Sequence, residues 1–425
     1  MKIFKFGGAS VKDANSVKNI AKIVSEYGGN GLVIIVSAMG KMTNSFEWLI
    51  NSYCYENTKS AKKGKKDSLN EIVDFHNNIL WELFPNRKHK IYVEINELLF
   101  QMEDIMAKPF DARKKEYDQV YDSLVGYAEL ISTKIINAYL LDQAIENEWL
   151  DAREYVKTNS DFRQVKVNWE ETGTKISALD KNKTYITQGF IGSNLVNEMT
   201  TLGREGSDFS AAIFGFCTNA ENVTIWKDVA GVLNADPKYY PNAKKIDKMS
   251  YREAIELSYY GATVIHPKTI KPLENKQIPL LVKSFLNPKE SGTIIQKSME
   301  YDTFLPSYIF VENQILFSIS PKDFSFIAEE NISYIFEQLA KFKIKVNLIQ
   351  NSALSFSVCF LNEKEKVSKL FQILKQNFRI KYNEDLTLLT IRHYSEETIT
   401  EIINDRKVVL EQKNRTSVRL VISQK

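Results

Sequence analysis

The strongest constraint on the fold lies in the first 36 residues. Lys2–Phe6 is a short, apolar-rich stretch that stops at Gly7-Gly8. Val17, Ile20, Ala21 and Val24 then recur at i, i+3, i+4 and i+7. Ser10 or Asp13 is placed to cap that helix, and Gly28-Gly29 closes it. Leu32–Val36 is a continuous apolar run rich in β-branched residues, the pattern of a strand covered on both faces. A strand, a helix and a second buried strand form a βαβ unit, which favours a parallel sheet.

Length and composition bound the rest. At ~150 residues per domain, 425 residues make two or three domains. Hydrophobic residues are 44% and charged residues 26%, enough for an ordinary core. Lys+Arg total 56 against 53 for Asp+Glu, so the net charge of +3 lacks the excess of a nucleic-acid binder. The longest apolar run, residues 32–38, is far below the ~18–20 needed to cross a bilayer. Lys5 and two glycines interrupt the N-terminal stretch, which does not read as a signal peptide. A soluble, cytoplasmic protein with no nucleic-acid or membrane partner is expected. Cys54, Cys217 and Cys359 are far apart and no CxxC occurs. His76, His89, His266 and His393 are equally scattered, so neither a disulfide framework nor a metal centre is expected.

Organisation follows from periodicity. Residues 43–145 read as helical, with a basic, glycine-containing loop at 60–66 and a long helical pattern over 115–144 that contains Glu129. His76 shares a helix face with Leu69, Ile72, Val73 and Leu80, which reads as packing rather than ligation. Strands and helices alternate from 154. Ser250 with Glu253 three residues later forms a capping box for a helix over 250–260. From about Pro306 the order βαββα, then β, suggests a small ferredoxin-like α+β module. Residues 386–423 look like a shortened copy. Three strands alone would leave edges needing partners.

Glycine is scarce, at 17 residues, so glycine-bearing spots are informative. Lys5-Phe6-Gly7-Gly8-Ala9-Ser10 ends a buried strand, lets backbone approach a ligand, and offers N–H groups to an anion beside a lysine. Thr201-Leu202-Gly203-Arg204-Glu205-Gly206-Ser207-Asp208 enters a helix with an arginine able to fork onto a carboxylate or phosphate. Lys227-Asp228 opens a loop that runs through Leu233 and Pro237 to Lys238 and could cover a nucleotide. Standard phosphate motifs fail: Gly40-Lys41 is followed by Met42, and Ile35 occupies the first Walker A glycine position. No G-x-G-x-x-G occurs.

Six segments in order resemble the amino-acid kinase superfamily, and specifically the aspartokinases: KFGGASV from Lys5, SAMGKMTN from Ser37, GYAELIST around Glu129, TQGFIG around Gly189, TLGREGSD, and GATVIHPKT from Gly261. The resemblance implies an α/β fold. It would be a three-layer α/β/α sandwich with a mainly parallel sheet over 1–293, an ACT-like regulatory domain over 306–380 and a shortened second ACT-like unit over 381–425. No fused homoserine dehydrogenase is expected. It implies transfer of the γ-phosphate of ATP, with Mg2+, to the side-chain carboxylate of L-aspartate. Lys5 and Asp208 would be catalytic. Lys5, Gly7, Gly8, Ala9, Lys227, Asp228, Leu233, Lys238 and Thr263 would hold ATP. Ser37, Thr43, Glu129 and Arg204 would hold aspartate, with Arg204 on its α-carboxylate and Glu129 on its ammonium. Lysine or threonine would be the effector, met by residues 321–324 and 346–352, and a homodimer would form through the ACT modules.

This sequence departs from the family pattern at Glu205, where a glycine is usual. A carboxylate beside phosphates is repulsive, so Glu205 is expected to point away. Thr263 stands where many relatives carry lysine, and Leu233 and Lys238 where they often carry Tyr and Arg. His266 is expected to be structural. Two other readings stay open: a catalytically silent amino-acid sensor on this fold, and a kinase for glutamate or another small acid.

Overall fold

A computed structural model describes residues 1–55, 59–108, 110–111, 116–262, 265–297, 305–323, 325–403 and 406–423. The chain forms two compact units. The first comprises Met1–Val232, Asp247–Ile255 and Val264–Asp302; the second comprises Leu233–Ile246, Glu256–Thr263 and Thr303–Lys425.

The first unit is built on an eight-stranded sheet. Its order is Glu148–Leu150, Thr184–Gln188, Leu32–Val36, Lys2–Phe6, Asn222–Lys227, Leu280–Ser284, Thr293–Gln296, Lys248–Ser250. All pairings are parallel except that of Thr293–Gln296 with Leu280–Ser284. Every residue of Leu32–Val36 is buried, as its apolar run demands. Lys2–Phe6 is central, and the chain leaves it on one side for Leu32–Val36 and on the other for Asn222–Lys227. The point beside it is where the direction of winding changes. In such sheets the crevice outside the carboxyl strand ends is the ligand site. The register aligns those ends: Phe6 pairs with Val36 and Trp226, and Val36 with Gln188.

Alternation then sorts side chains. Phe4, Phe6, Ile34 and Val36 join one core with helices Ala14–Tyr27 and Tyr127–Asp142. Ile3 and Val223 face the other way, toward Gly215 of helix Gly206–Thr218. With period 2, Lys5 shares the face of Ile3, and Lys227 that of Val223. Both lysines therefore face the helix that carries Asp208.

Three sequence expectations change locally. Asp13, rather than Ser10, caps the first helix, its carboxylate accepting the Ser16 N–H at 2.7 Å. The basic stretch 60–66 is no loop. It lies in helix Lys59–Leu83, where alanine and lysine favour helix and Lys65 Nζ donates to the Met106 carbonyl at 3.1 Å. The single long helix of 115–144 is two helices, Tyr117–Val125 and Tyr127–Asp142. The chain breaks at Gly126, where a Cβ would collide with Met199 Sδ.

The second unit holds a six-stranded sheet ordered Val346–Asn351, Phe356–Leu361, Ser307–Pro321, Phe378–Arg392, Ser417–Ser423, Val408–Lys413. Its two long central strands each serve two modules. Gln314–Pro321 and the first part of Phe378–Arg392 complete one ferredoxin-like order under helices Glu329–Lys341 and Lys364–Asn377. Ser307–Val311 and the end of Phe378–Arg392 complete the other, beside helix Glu396–Ile403. The shortened copy thus takes its fourth strand from upstream, and its inner edge is paired.

Candidate active site

Lys5 is buried near the end of its strand, and its Nζ lies 2.6 Å from Asp208 Oδ1. Lys227 Nζ approaches the other oxygen, Oδ2, at 3.5 Å. Asp208 is wholly buried in the first turn of helix Gly206–Thr218. Burial pushes its carboxyl up. The charges of Lys5 and then Lys227 outweigh that, holding it below the ordinary carboxylate range. Two ammonium groups meet this carboxylate at the partial positive end of a helix. The arrangement suits a bound polyanion.

The turn after Phe6 completes this corner. Gly8 lies under the 38–40 loop, where a Cβ would stand 2.5 Å from the Gly40 carbonyl oxygen. The Gly40 N–H donates to the Gly8 carbonyl at 3.0 Å, and Ala9 is exposed beside it. Ser37 follows the next strand, its N–H donating to Phe6 and its carbonyl accepting from Ser132 Oγ at 2.8 Å. Thr43 is half-buried in the first turn of helix Met42–Cys54.

Glu129 lies in the first turn of helix Tyr127–Asp142 and is 2% exposed. Burial pushes its carboxyl up to about 8, against hydrogen bonds from its own N–H and that of Ala38. Its Oε2 has no hydrogen-bond partner among the described residues. An unsatisfied buried carboxylate oxygen is costly, and a cationic ligand would relieve it.

Arg204 is exposed and lines a cavity of about 730 Å³ with Arg163, Lys166, His266 and Lys268. Lys268 Nζ donates to the Leu202 carbonyl at 2.9 Å, which ties the Arg204 turn to the helix Pro267–Lys276. His266 caps that helix, its Nδ1 accepting the Lys268 N–H at 3.1 Å. Glu205 is exposed, with φ +54°.

The nucleotide expectations divide. Lys227 and the exposed Asp228 stand at the strand end in the first unit. Leu233 and Lys238 belong to the second unit, where Lys238 Nζ lies 3.4 Å from Glu312. Thr263 lies outside the described residues. So does Phe324 of the effector segment, whose Asp323 accepts from the Ser325 N–H and hydroxyl. Asp122, a wholly buried carboxylate that accepts from the Thr201 N–H just before the Arg204 turn, is not among the residues the sequence pattern marks. Its signal was an acid among Val120, Leu124 and Val125 in an apolar helix, seven residues before Glu129.

The model of the family described as "Amino acid kinase family" matches residues 1–284. The chain belongs to the amino acid kinase family. Among its relatives, this amino acid kinase is 31% identical to lysine-sensitive aspartokinase 3 of Escherichia coli over 367 residues, covering 84% of this chain and 77% of that one. The bifunctional aspartokinase/homoserine dehydrogenase of Buchnera aphidicola is 29% identical over 91% of this chain. The chain spans 47% of that protein, about half the length of such bifunctional relatives. The solved structure of E. coli aspartokinase III with aspartate and ADP superimposes at TM-score 0.79, with 25% identity and coverage of 100% and 96%. Aspartate kinase of Clostridium acetobutylicum, at 22% identity and TM-score 0.78, shares the fold.

Proposed function

We propose that this protein is an ATP-dependent aspartate kinase, forming 4-phospho-L-aspartate and ADP as the first step toward lysine, threonine and methionine. The observation that carries this reading is the Lys5–Asp208–Lys227 cluster at the strand ends, in which Lys5 and Asp208 are buried. The β-carboxylate of aspartate is already an anion at neutral pH, so its attack on the γ-phosphorus needs no general base. The barrier is repulsion between anions, which placed cations and N–H groups lower. Lys5 serves the transferring phosphoryl group, with Gly7, Gly8 and Ala9 offering backbone around it. Asp208 has a lysine on each oxygen, which supports a role in orienting Lys5 and Lys227. Lys227 and Asp228 take the nucleotide side. ATP would arrive as its Mg2+ complex, the metal held largely by the phosphates.

Aspartate is held at both ends. Arg204 forks onto the α-carboxylate, and the orphan oxygen of Glu129 pairs with the ammonium. Ser37 and Thr43 hydrogen-bond it. Support for this choice of acceptor comes from the aspartate and ADP in the E. coli structure. A second E. coli structure holds lysine with aspartate, which supports lysine as the effector of the paired modules ahead of threonine. The reading includes a homodimer through those modules and a cytoplasmic location. No helix among the described residues is long and apolar enough to cross a membrane.

The test is aspartyl hydroxamate formation from aspartate, ATP and hydroxylamine. Lys5→Ala is expected to lower kcat by at least about a hundredfold, the loss typical of a transition-state charge contact. Wild-type turnover in that variant removes Lys5 from catalysis. Glutamate competing as an equal substrate would shift the reading to a broader small-acid kinase.

A further inference from the structure

Asp122 lies in helix Tyr117–Val125 and is wholly buried. Its carboxylate accepts three hydrogen bonds. The Thr201 hydroxyl donates to Oδ1 at 2.7 Å; the Thr201 N–H and the Arg163 N–H donate to Oδ2 at 2.8 and 3.0 Å. The two donor residues flank one turn. Thr201 ends the short strand Met199–Thr201, three residues before Arg204. The Arg163 carbonyl lies against Gly203, where a Cβ would stand 2.8 Å away and φ is +74°, so glycine is required. The Arg163 guanidinium then reaches Asp118 at 3.3 Å and Glu47 at 3.9 Å. Glu47 is one turn beyond Thr43 on the helix Met42–Cys54.

One carboxylate thus joins three walls of the site: the helix before Glu129, the segment at Arg163, and the turn bearing Arg204. For stability alone an acid is an expensive choice here, because a buried charge must be stripped of its water. What it supplies is acceptor capacity that an amide lacks: an asparagine would turn an N–H2 toward N–H donors.

We infer that Asp122 is a positioning residue for the amino-acid substrate, fixing the Arg204 turn so that its guanidinium meets the α-carboxylate. The inference rests on the aspartate kinase reading for its substrate. Its readout therefore has two arms.

The first arm measures kcat and KM for aspartate and for ATP in full-length wild type, Asp122→Asn, Thr201→Val and Thr201→Ser. Asp122→Asn raises the aspartate KM about tenfold and leaves the ATP KM within about twofold, the size of a lost charge-assisted hydrogen bond. Thr201→Val moves the aspartate KM the same way by about threefold, and Thr201→Ser restores it. The inference is overturned if Thr201→Val keeps the wild-type aspartate KM, or if both KM values rise together. Should Asp122→Asn not fold, the Thr201 pair decides. The second arm is amide hydrogen exchange over residues 199–205, which needs no turnover. Thr201→Val speeds exchange there and leaves the strand Leu32–Val36 unchanged; unchanged exchange at 199–205 sinks the inference. If wild type turns over no aspartate, the functional reading fails while this arm still judges Asp122.

Discussion

At the scale of single residues, the proposed role of Glu129 would couple aspartate binding to protons. Its carboxyl is held up to about 8 by burial, so the free protein carries it protonated at neutral pH. An ammonium ligand prefers the carboxylate. The aspartate KM should therefore fall as pH rises toward 8, by up to about tenfold per unit, and level off above it. Glu129→Gln should have a high aspartate KM with this pH dependence gone; a KM that follows pH identically in both proteins would refute the role. Stability carries the opposite sign. A raised folded-state value gives stability that is fully present below the unfolded value of 4.5 and is lost as pH rises through about 8. At pH 9, without aspartate, Glu129→Gln should melt several degrees above wild type. Equal melting temperatures there would remove the desolvation argument.

At the scale of elements, the helix Gly206–Thr218 both carries Asp208 and starts under strain. Glu205, its N-cap, has φ +54° and ψ +28°, and its side chain makes no capping hydrogen bond. A non-glycine residue in this left-handed region costs about 1–2 kcal/mol, and glycine does not pay it. Glu205→Gly should raise stability by about 1 kcal/mol, read from chemical denaturation. Because Glu205 faces solvent, its removal should improve ATP affinity by less than about tenfold. A larger gain would mean that the carboxylate acts on the phosphates. Element identity was readable here from the glycine–arginine–glycine cluster, but the torsion at Glu205 was not. The next residue is held by a contact distant in sequence, since a Cβ at Gly206 would collide with Phe190, and no local pattern encodes that either.

At the scale of the whole molecule, the second unit cannot be divided at the point where the repeats meet in sequence. Ser307–Pro321 pairs with Phe378–Arg392 along both modules, with register shifts between Val311 and Leu316. Tyr308 packs with Leu389, Ile391 and Leu420 in one apolar cluster. Leu316, Leu348 and Cys359 of one module pack with Leu386, Leu388 and Val421 of the other. A chain ending at residue 380 would expose both clusters and leave Ser307–Val311 without its partner. We expect such a chain to lose resistance to limited proteolysis across 307–380 while hydrogen exchange in Leu32–Val36 stays slow. A protease-resistant 307–380 module would show that the halves fold independently.

The sequence by itself determined the βαβ opening, the parallel core strands, the first-helix face, and the segments carrying Lys5, Ser37, Glu129, Arg204 and Asp208. The strands, the helix face and the glycine-bearing segments of Lys5, Arg204 and Asp208 follow from short-range rules: period 2 or 3.6, glycine at turns, caps at helix starts; Ser37 and Glu129 stood out only through the family resemblance of their segments. Tertiary structure decided the rest. It set Lys5 and Lys227 on one sheet face against Asp208, 203 residues from Lys5 in sequence, because strand register and helix docking are long-range. It lifted the Glu129 carboxyl by removing water from it. It also gave Asp122 its donors from residues 41 and 79 positions away. An ionisable group's behaviour depends on what surrounds it after folding, and periodicity cannot report that.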